Sequence, residues 1–278
     1  LLLVILGVSG QILWQRYAPA IATRPQYQIA AEAVHITPPP PWIRSDIKSE
    51  VLRDAGLVGN LSVLADWDAL VHQVRQAFEF HPWIAAVKSV RRSLPNALEI
   101  ELEYRVPVAA VESSGQGGVA LLPIDAAAIR LPEADLTDVE RRYLPRVSNV
   151  AGRPLVGDVW DDPRVVGGAK LAAALADVWR PLRLVEILPS PHPVVQADVR
   201  YYTYELVTSG GTRVVWGAAP GEELSAGESP LAAKRQRLLE YAATTGRLDA
   251  IDGPAAIDIR KELVVVPRTA KRETSGER

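Results

Sequence analysis

The chain has 278 residues, 48% of them hydrophobic, with 31 Lys and Arg against 33 Asp and Glu. This length and apolar content suffice for two packed domains, and the absence of a clustered positive excess argues against nucleic acid as a partner. With no cysteine in the chain, disulfides, thiolate nucleophiles and cysteine-held metals are excluded.

Leu1–Trp14 carries no charge and reads as a truncated transmembrane segment, since a full span needs about 20 apolar residues. Ala18, Ala20 and Ala22 allow a second reading, the end of a secretory signal. Both of these readings place the rest of the chain on the extracytoplasmic side; a third, a buried helix of a soluble domain, does not. Residues 15–26 form a linker, and a first domain is expected over residues 27–110. It starts with a strand over Tyr27–Thr37, which Pro38–Pro41 must end because proline cannot donate to a ladder. Ser45 or Asp46 caps a helix through Ile47, Val51 and Ala55 that stops at Gly56. Trp67, Leu70, Val71, Val74 and Phe78 then share one helical face. Strands follow over Val87–Arg92 and Ala97–Tyr104. In the second of these, Leu98, Ile100, Leu102 and Tyr104 alternate with Glu99, Glu101 and Glu103, so apolar and acidic residues occupy opposite faces. Arg91 and Arg92 across the turn make the acids structural surface residues rather than bases or metal ligands.

A β-rich second domain is expected over residues 111–268. Its features are a loop at "ESSGQGG", an extended stretch around Asp125, a short strand at Leu144–Val147 and a helix over Val165–Trp179 closed by Pro181. Strands containing Tyr202, Tyr204, Leu206 and then Val214, Trp216 flank Gly210-Gly211, glycines read as supplying the positive φ of a hairpin. Ser229 and Pro230 cap and start a helix through Leu231, Leu238, Leu239 and Ala242 to Gly246. Ala256–Pro267 forms a strand or close strand pair, and residues 269–278 form a charged, disordered tail. The fold class is therefore α+β throughout.

No phosphate-binding glycine loop and no nucleophile elbow is present. His35, His72, His81 and His192 share no ligand spacing, and Asp249, Asp252 and Asp258 lack the spacing of a calcium loop. No catalytic residue, cofactor or metal is expected, and the chain reads as a non-enzyme.

The sequence resembles the bacterial cell-division family FtsQ, called DivIB in some lineages. The resemblance is carried by His81-Pro82-Trp83-Ile84, by "VRRSLPNALEIELEYRVPVA" from Val90, by "LPIDAAAIRLP" from Leu122, by "LPRV" from Leu144 and by "AIDIR" from Ala256. It implies a single-pass protein of the cytoplasmic membrane whose exported part is a POTRA-like domain followed by a β domain. The implied role is a non-catalytic scaffold of the divisome, with membrane partners of the FtsB and FtsL type and FtsK. Two departures mark a divergent member: Ala128 stands where the family usually has the glycine of D-x-x-G, and Lys261 stands where an aromatic residue commonly follows I-D-[LI]-R. The insert from Pro132 to Arg142 is a third. A POTRA-type module of an outer-membrane assembly or secretion factor, binding substrate strands, is the alternative.

Partner binding is expected at the last strand, through Ile257, Asp258, Arg260, Lys261, Leu263, Val264, Val265 and Val266. An edge strand there offers unpaired backbone groups, and Arg260, Lys261 and Glu262 form a charged block that opposes self-association and selects an acidic partner. The resemblance implies that this segment receives a strand from an FtsB-type protein. The competing reading makes the valines a buried central strand.

Overall fold

The computed structural model of the chain describes Gln11 and residues 28–268, apart from positions 60, 63–65, 94, 95, 116, 117, 197, 198, 247, 251 and 252. The expected membrane segment save Gln11, the linker, Tyr27, Asp252 and the charged tail lie outside the described residues. Among the described residues no helix is long and apolar enough to cross a membrane. The architecture is α+β and divides into two compact units between Arg105 and Val106.

The first unit holds a three-stranded sheet in the order β1-β3-β2, formed by β1 (Val34–Ile36), β2 (Ile84–Ser93) and β3 (Ala97–Tyr104). β1 runs parallel to β3, and β2 pairs with β3 as an antiparallel hairpin. The first strand is much shorter than its alternation indicates, because Ala31–Ala33 forms a turn of 3-10 helix. Helix α1 (Ile47–Asp54) starts where the Asp46 carboxylate accepts from Ser49 N at 3.1 Å. It ends at Gly56, whose φ of 63° favours glycine. Helix α2 (Trp67–Glu79) is capped in the same way by Asp66 and buries Leu70, Val74 and Phe78. Arg75 ties it to the sheet by donating to Val87 O at 2.7 Å.

The three glutamates lie on the exposed face of β3, while Leu98, Ile100 and Leu102 are buried. Glu99 stands opposite Arg91, Glu101 accepts from Ser89 Oγ at 3.1 Å, and Glu103 pairs with Lys88. Arg92 departs from expectation: it faces Leu98 in register and lies over the Trp67 ring, 4.4 Å from the centroid. The two-residue period of the strand puts it on the helix side, away from the acids. At the end of β3, burial pushes the Tyr104 hydroxyl up to about 12, and that hydroxyl donates to Thr37 O.

The second unit holds an eight-stranded mixed sheet in the order β13-β12-β11-β10-β7-β6-β4-β5. Its strands are β4 (Ala109–Gly115), β5 (Gly118–Ile124), β6 (Arg146–Val147), β7 (Leu184–Pro189), β10 (Thr203–Thr208), β11 (Arg213–Ala218), β12 (Ala256–Asp258) and β13 (Val264–Val266). A separate ribbon pairs β8 (Val194–Gln196) with β9 (Val199–Tyr201). The expected loop at "ESSGQGG" is instead largely strand, since β4 and β5 pair along their length. The insert after Pro132 holds α3 (Asp138–Tyr143), started by a full capping box between Thr137 and Glu140. Helix α4 (Pro163–Ala174) and the short α5 (Ala176–Trp179) replace one longer predicted helix. Helix α4 approaches the sheet closely at Gly167, where a Cβ would stand 2.0 Å from Tyr204 Oη. The last helix is α6 (Leu231–Thr245), with Leu238 in the core of the unit.

One glycine reading changes. Only Gly211 of the β10–β11 turn has a positive φ, 80°. Gly210 is needed for close approach, since a Cβ there would meet Asp249 O at 2.2 Å. At the D-x-x-G position, Asp125 Oδ1 accepts from Ala127 N and Ile129 N, both at 2.9 Å. Ala128 then takes φ 59° while fully buried. The chain thus carries an L side chain in the left-handed region, where a glycine would sit without strain.

Glu99→Gln, Glu101→Gln or Glu103→Gln each costs under about 1 kcal/mol, whereas Ile100→Ala or Leu102→Ala costs roughly 2–5 kcal/mol, measured by denaturant unfolding. Ala128→Gly relieves the strained φ but loses a buried methyl, so it shifts stability by less than about 1 kcal/mol. Ala128→Val, which adds volume at the same φ, costs roughly 2–4 kcal/mol in the same measurement.

Candidate partner-binding edge

β13 is the terminal strand of the eight-stranded sheet and, among the described residues, pairs only with β12, placing Val266 opposite Ala256, Val265 opposite Ile257 and Val264 opposite Asp258. Val264, Val265 and Val266 are 55%, 40% and 49% exposed. The reading of these valines as a buried central strand is therefore overturned. Sheets bury central strands on both sides, and among the described residues this one has a neighbour on one side alone.

The direction of each peptide group along the edge follows from the adjoining ladder. Arg213 N donates to Ala255 O at 3.0 Å and Ile259 N to Val215 O at 3.3 Å, so alternate positions of β12 turn toward β11. Ala256 and Asp258 turn the other way, toward Val266 and Val264. Val265 is left with its N–H and C=O directed away from the sheet, and Pro267, in the same phase, offers only a carbonyl.

The side chains divide by face. Val264 borders a cleft of about 630 Å³ with Val194, Tyr201, Arg260 and Lys261. Val265 borders a smaller one of about 330 Å³ with Tyr241, Leu248 and Pro254.

Of the residues expected to bind a partner, Arg260, Lys261, Leu263, Val264, Val265 and Val266 are exposed along this edge. Ile257 is not: it is fully buried in the core of the unit, because β12 is an interior strand. Asp258 and Arg260 hold each other, with Arg260 Nε 3.1 Å from both carboxylate oxygens and Nη2 2.7 Å from Oδ2. Burial works to raise the Asp258 pKa, but hydrogen bonds from the Arg260 side chain and backbone, with the charges of Arg260 and Lys234, hold it below the usual carboxylate value. Its stabilising contribution is present at neutral pH and is lost as the pH falls through that lowered value. With Arg260 engaged, the charged block presents Lys261 beside Glu262, opposite in sign, so its bias toward an acidic partner is weaker than the sequence alone indicates.

Behind the edge lies a feature the sequence analysis missed. Lys234 of α6 is fully buried, its Nζ 2.5 Å from Glu228 Oε2 and 5.4 Å from the centroid of the Trp216 ring. Glu228 Oε2 also accepts from Ala218 N at 3.0 Å. The seat is so tight that a Cβ on Gly217 would stand 2.2 Å from that oxygen. One sequence signal was present: Lys234 stands three residues after Leu231 and four before Leu238, inside the apolar stripe of the helix. Ser229 also has a different role from the expected cap. The N-cap position is Pro230, without a side-chain cap.

Among the described residues no group of three or more His, Asp or Glu side chains is placed to hold a metal ion. His81 accepts from Trp83 N through Nδ1 at 3.3 Å and faces Glu50 through Nε2 at 3.4 Å, bonds that lock a turn. Asp125 is occupied by the turn it closes. What the edge offers is a row of backbone groups flanked by apolar side chains, a surface suited to receiving a strand.

Lys234→Met leaves a buried carboxylate without its cation and costs about 3–5 kcal/mol, read from the denaturant midpoint. Adding Glu228→Gln removes the stranded charge and recovers part of that loss. Comparison of the chain with protein-family models and with curated protein sequences finds no match to either.

Proposed function

We propose that the chain is a non-catalytic, single-pass scaffold of the bacterial division machinery, of the FtsQ/DivIB type, whose extracytoplasmic body receives a strand of a membrane partner on β13. The observation that carries this reading is the open edge: the segment directly after the Ile257-Asp258-Ile259-Arg260 run ends the sheet with Val265 turned outward. Support also comes from the first unit, whose order of strand, two helices and two strands with a β1-β3-β2 sheet is the arrangement that a POTRA-like reading requires. Partners of the FtsB and FtsL type would supply the incoming strand, and FtsK is the further partner that the resemblance implies.

The register of β13 sharpens the test. Val264 gives its N–H to the hairpin, so a proline there breaks the fold of the edge itself. Val265→Pro removes only the outward donor. In pull-down with a co-expressed membrane partner of the FtsB type, Val265→Pro is expected to lose at least tenfold in retention with an unchanged circular dichroism spectrum, and Lys261→Glu to change it less. Full retention by folded Val265→Pro contradicts the reading, as does a tagged chain that never gathers at midcell in dividing cells.

A further inference from the structure

We infer that Ser229 and Arg237 are positioning residues that clamp the turn between β12 and β13, holding the edge strand in a preformed state; the purpose of this clamp rests on the strand-docking reading above. Three consecutive carbonyls of the turn accept from this one patch. Arg237 Nη1 donates to Ile259 O at 3.0 Å, Ser229 N to Arg260 O at 2.8 Å and Ser229 Oγ to Lys261 O at 3.3 Å. Arg237 Nη2 donates to Ser229 Oγ at 2.9 Å, so a single guanidinium braces both ends of the clamp.

The clamp is itself anchored. Glu228, adjacent to Ser229, is held by Lys234 Nζ and Ala218 N, and Lys234 lies one helical turn before Arg237 on α6. Loop, helix and sheet therefore converge on the backbone of one short turn. The planar fork of arginine can reach two acceptors at once in a way that lysine cannot.

The need for a clamp follows from the shortness of the strand. β13 pairs with β12 at three positions and all its side chains are exposed, too little pairing and burial to hold an edge by itself. An edge that frayed would have to be ordered during binding, which lowers affinity. An edge ordered beforehand avoids that cost. The inward N–H groups of Val264 and Val266 report on the clamp, and the outward N–H of Val265 reports on docking.

The test uses the full chain and reads amide hydrogen exchange residue by residue, with the core amides of Leu206 and Val214 as internal references. The probe is a synthetic ten-residue peptide of alternating valine and glutamate, titrated against wild type and variants. Arg237→Met is expected to speed exchange at Val264 and Val266 at least tenfold, leave Leu206 and Val214 unchanged, and weaken peptide binding at least tenfold. Ser229→Ala is expected to act in the same direction and Ser229→Thr, which keeps the hydroxyl, to restore both readouts; this pair decides the matter if Arg237→Met does not fold. Unchanged exchange at Val264 and Val266 in folded variants overturns the clamp. Faster exchange with undiminished peptide binding overturns its role in docking. A wild-type chain that ignores the peptide while the variants still show faster local exchange counts against strand docking and leaves the clamp standing.

Discussion

Alternate peptide groups of an edge strand have no ladder partner, and the sheet of the second unit has two edges among the described residues, β5 and β13, of which β13 carries the exposed valines. Every other feature of the region can be read as an answer to this constraint. The strand is short, its flank carries Lys261 and Glu262, and Pro267 removes one outward donor. Short strands, charges and proline are the usual means by which an open edge is kept from pairing with the wrong chain. Leu263 and the three valines nonetheless leave the edge apolar and exposed, the combination that the proposed strand docking calls for.

The same constraint explains why charge is buried behind the edge. A fully buried lysine and its carboxylate are a poor source of stability, since desolvation offsets most of their attraction. Their value here is positional. Glu228 and Lys234 tie the loop before α6, the helix and the end of β11 to one point, near enough for Lys234 to act on the charge of Asp258 and Glu228 on that of Arg260. An apolar pair of similar volume would fill the space without fixing the direction of Ser229.

How much of this was legible in the sequence depends on the range of the forces involved. The caps at Asp46 and Gly56, the helix from Trp67 and the alternation through Leu98–Tyr104 are local signals, and the structure places those elements within a few residues of expectation. The strand at Leu184–Pro189 was missed. It lies inside the sheet, where a short apolar run carries no period that separates strand from helix. The capping box of α3 was written in Thr137 and Glu140, but its helix is too short to show an apolar stripe. At the edge, exposure of Val264–Val266 matches the expected surface, whereas the burial of Ile257 and the pairing of Asp258 with Arg260 do not, because both depend on which strand lies beside β12 and no local pattern encodes that. The clamp was unreadable for the same reason: Ser229 and Arg237 find the turn only once α6 and β12 are packed together.

The measurement that bears most directly on the account is residue-resolved amide exchange of the wild-type chain alone and then with the proposed FtsB-type partner added. The account predicts protected N–H groups at Val264 and Val266 and a freely exchanging Val265 in the isolated chain, with Val265 becoming protected on binding. Protection of Val265 in the isolated chain, or its continued free exchange in the complex, would contradict an open edge that receives the partner's strand.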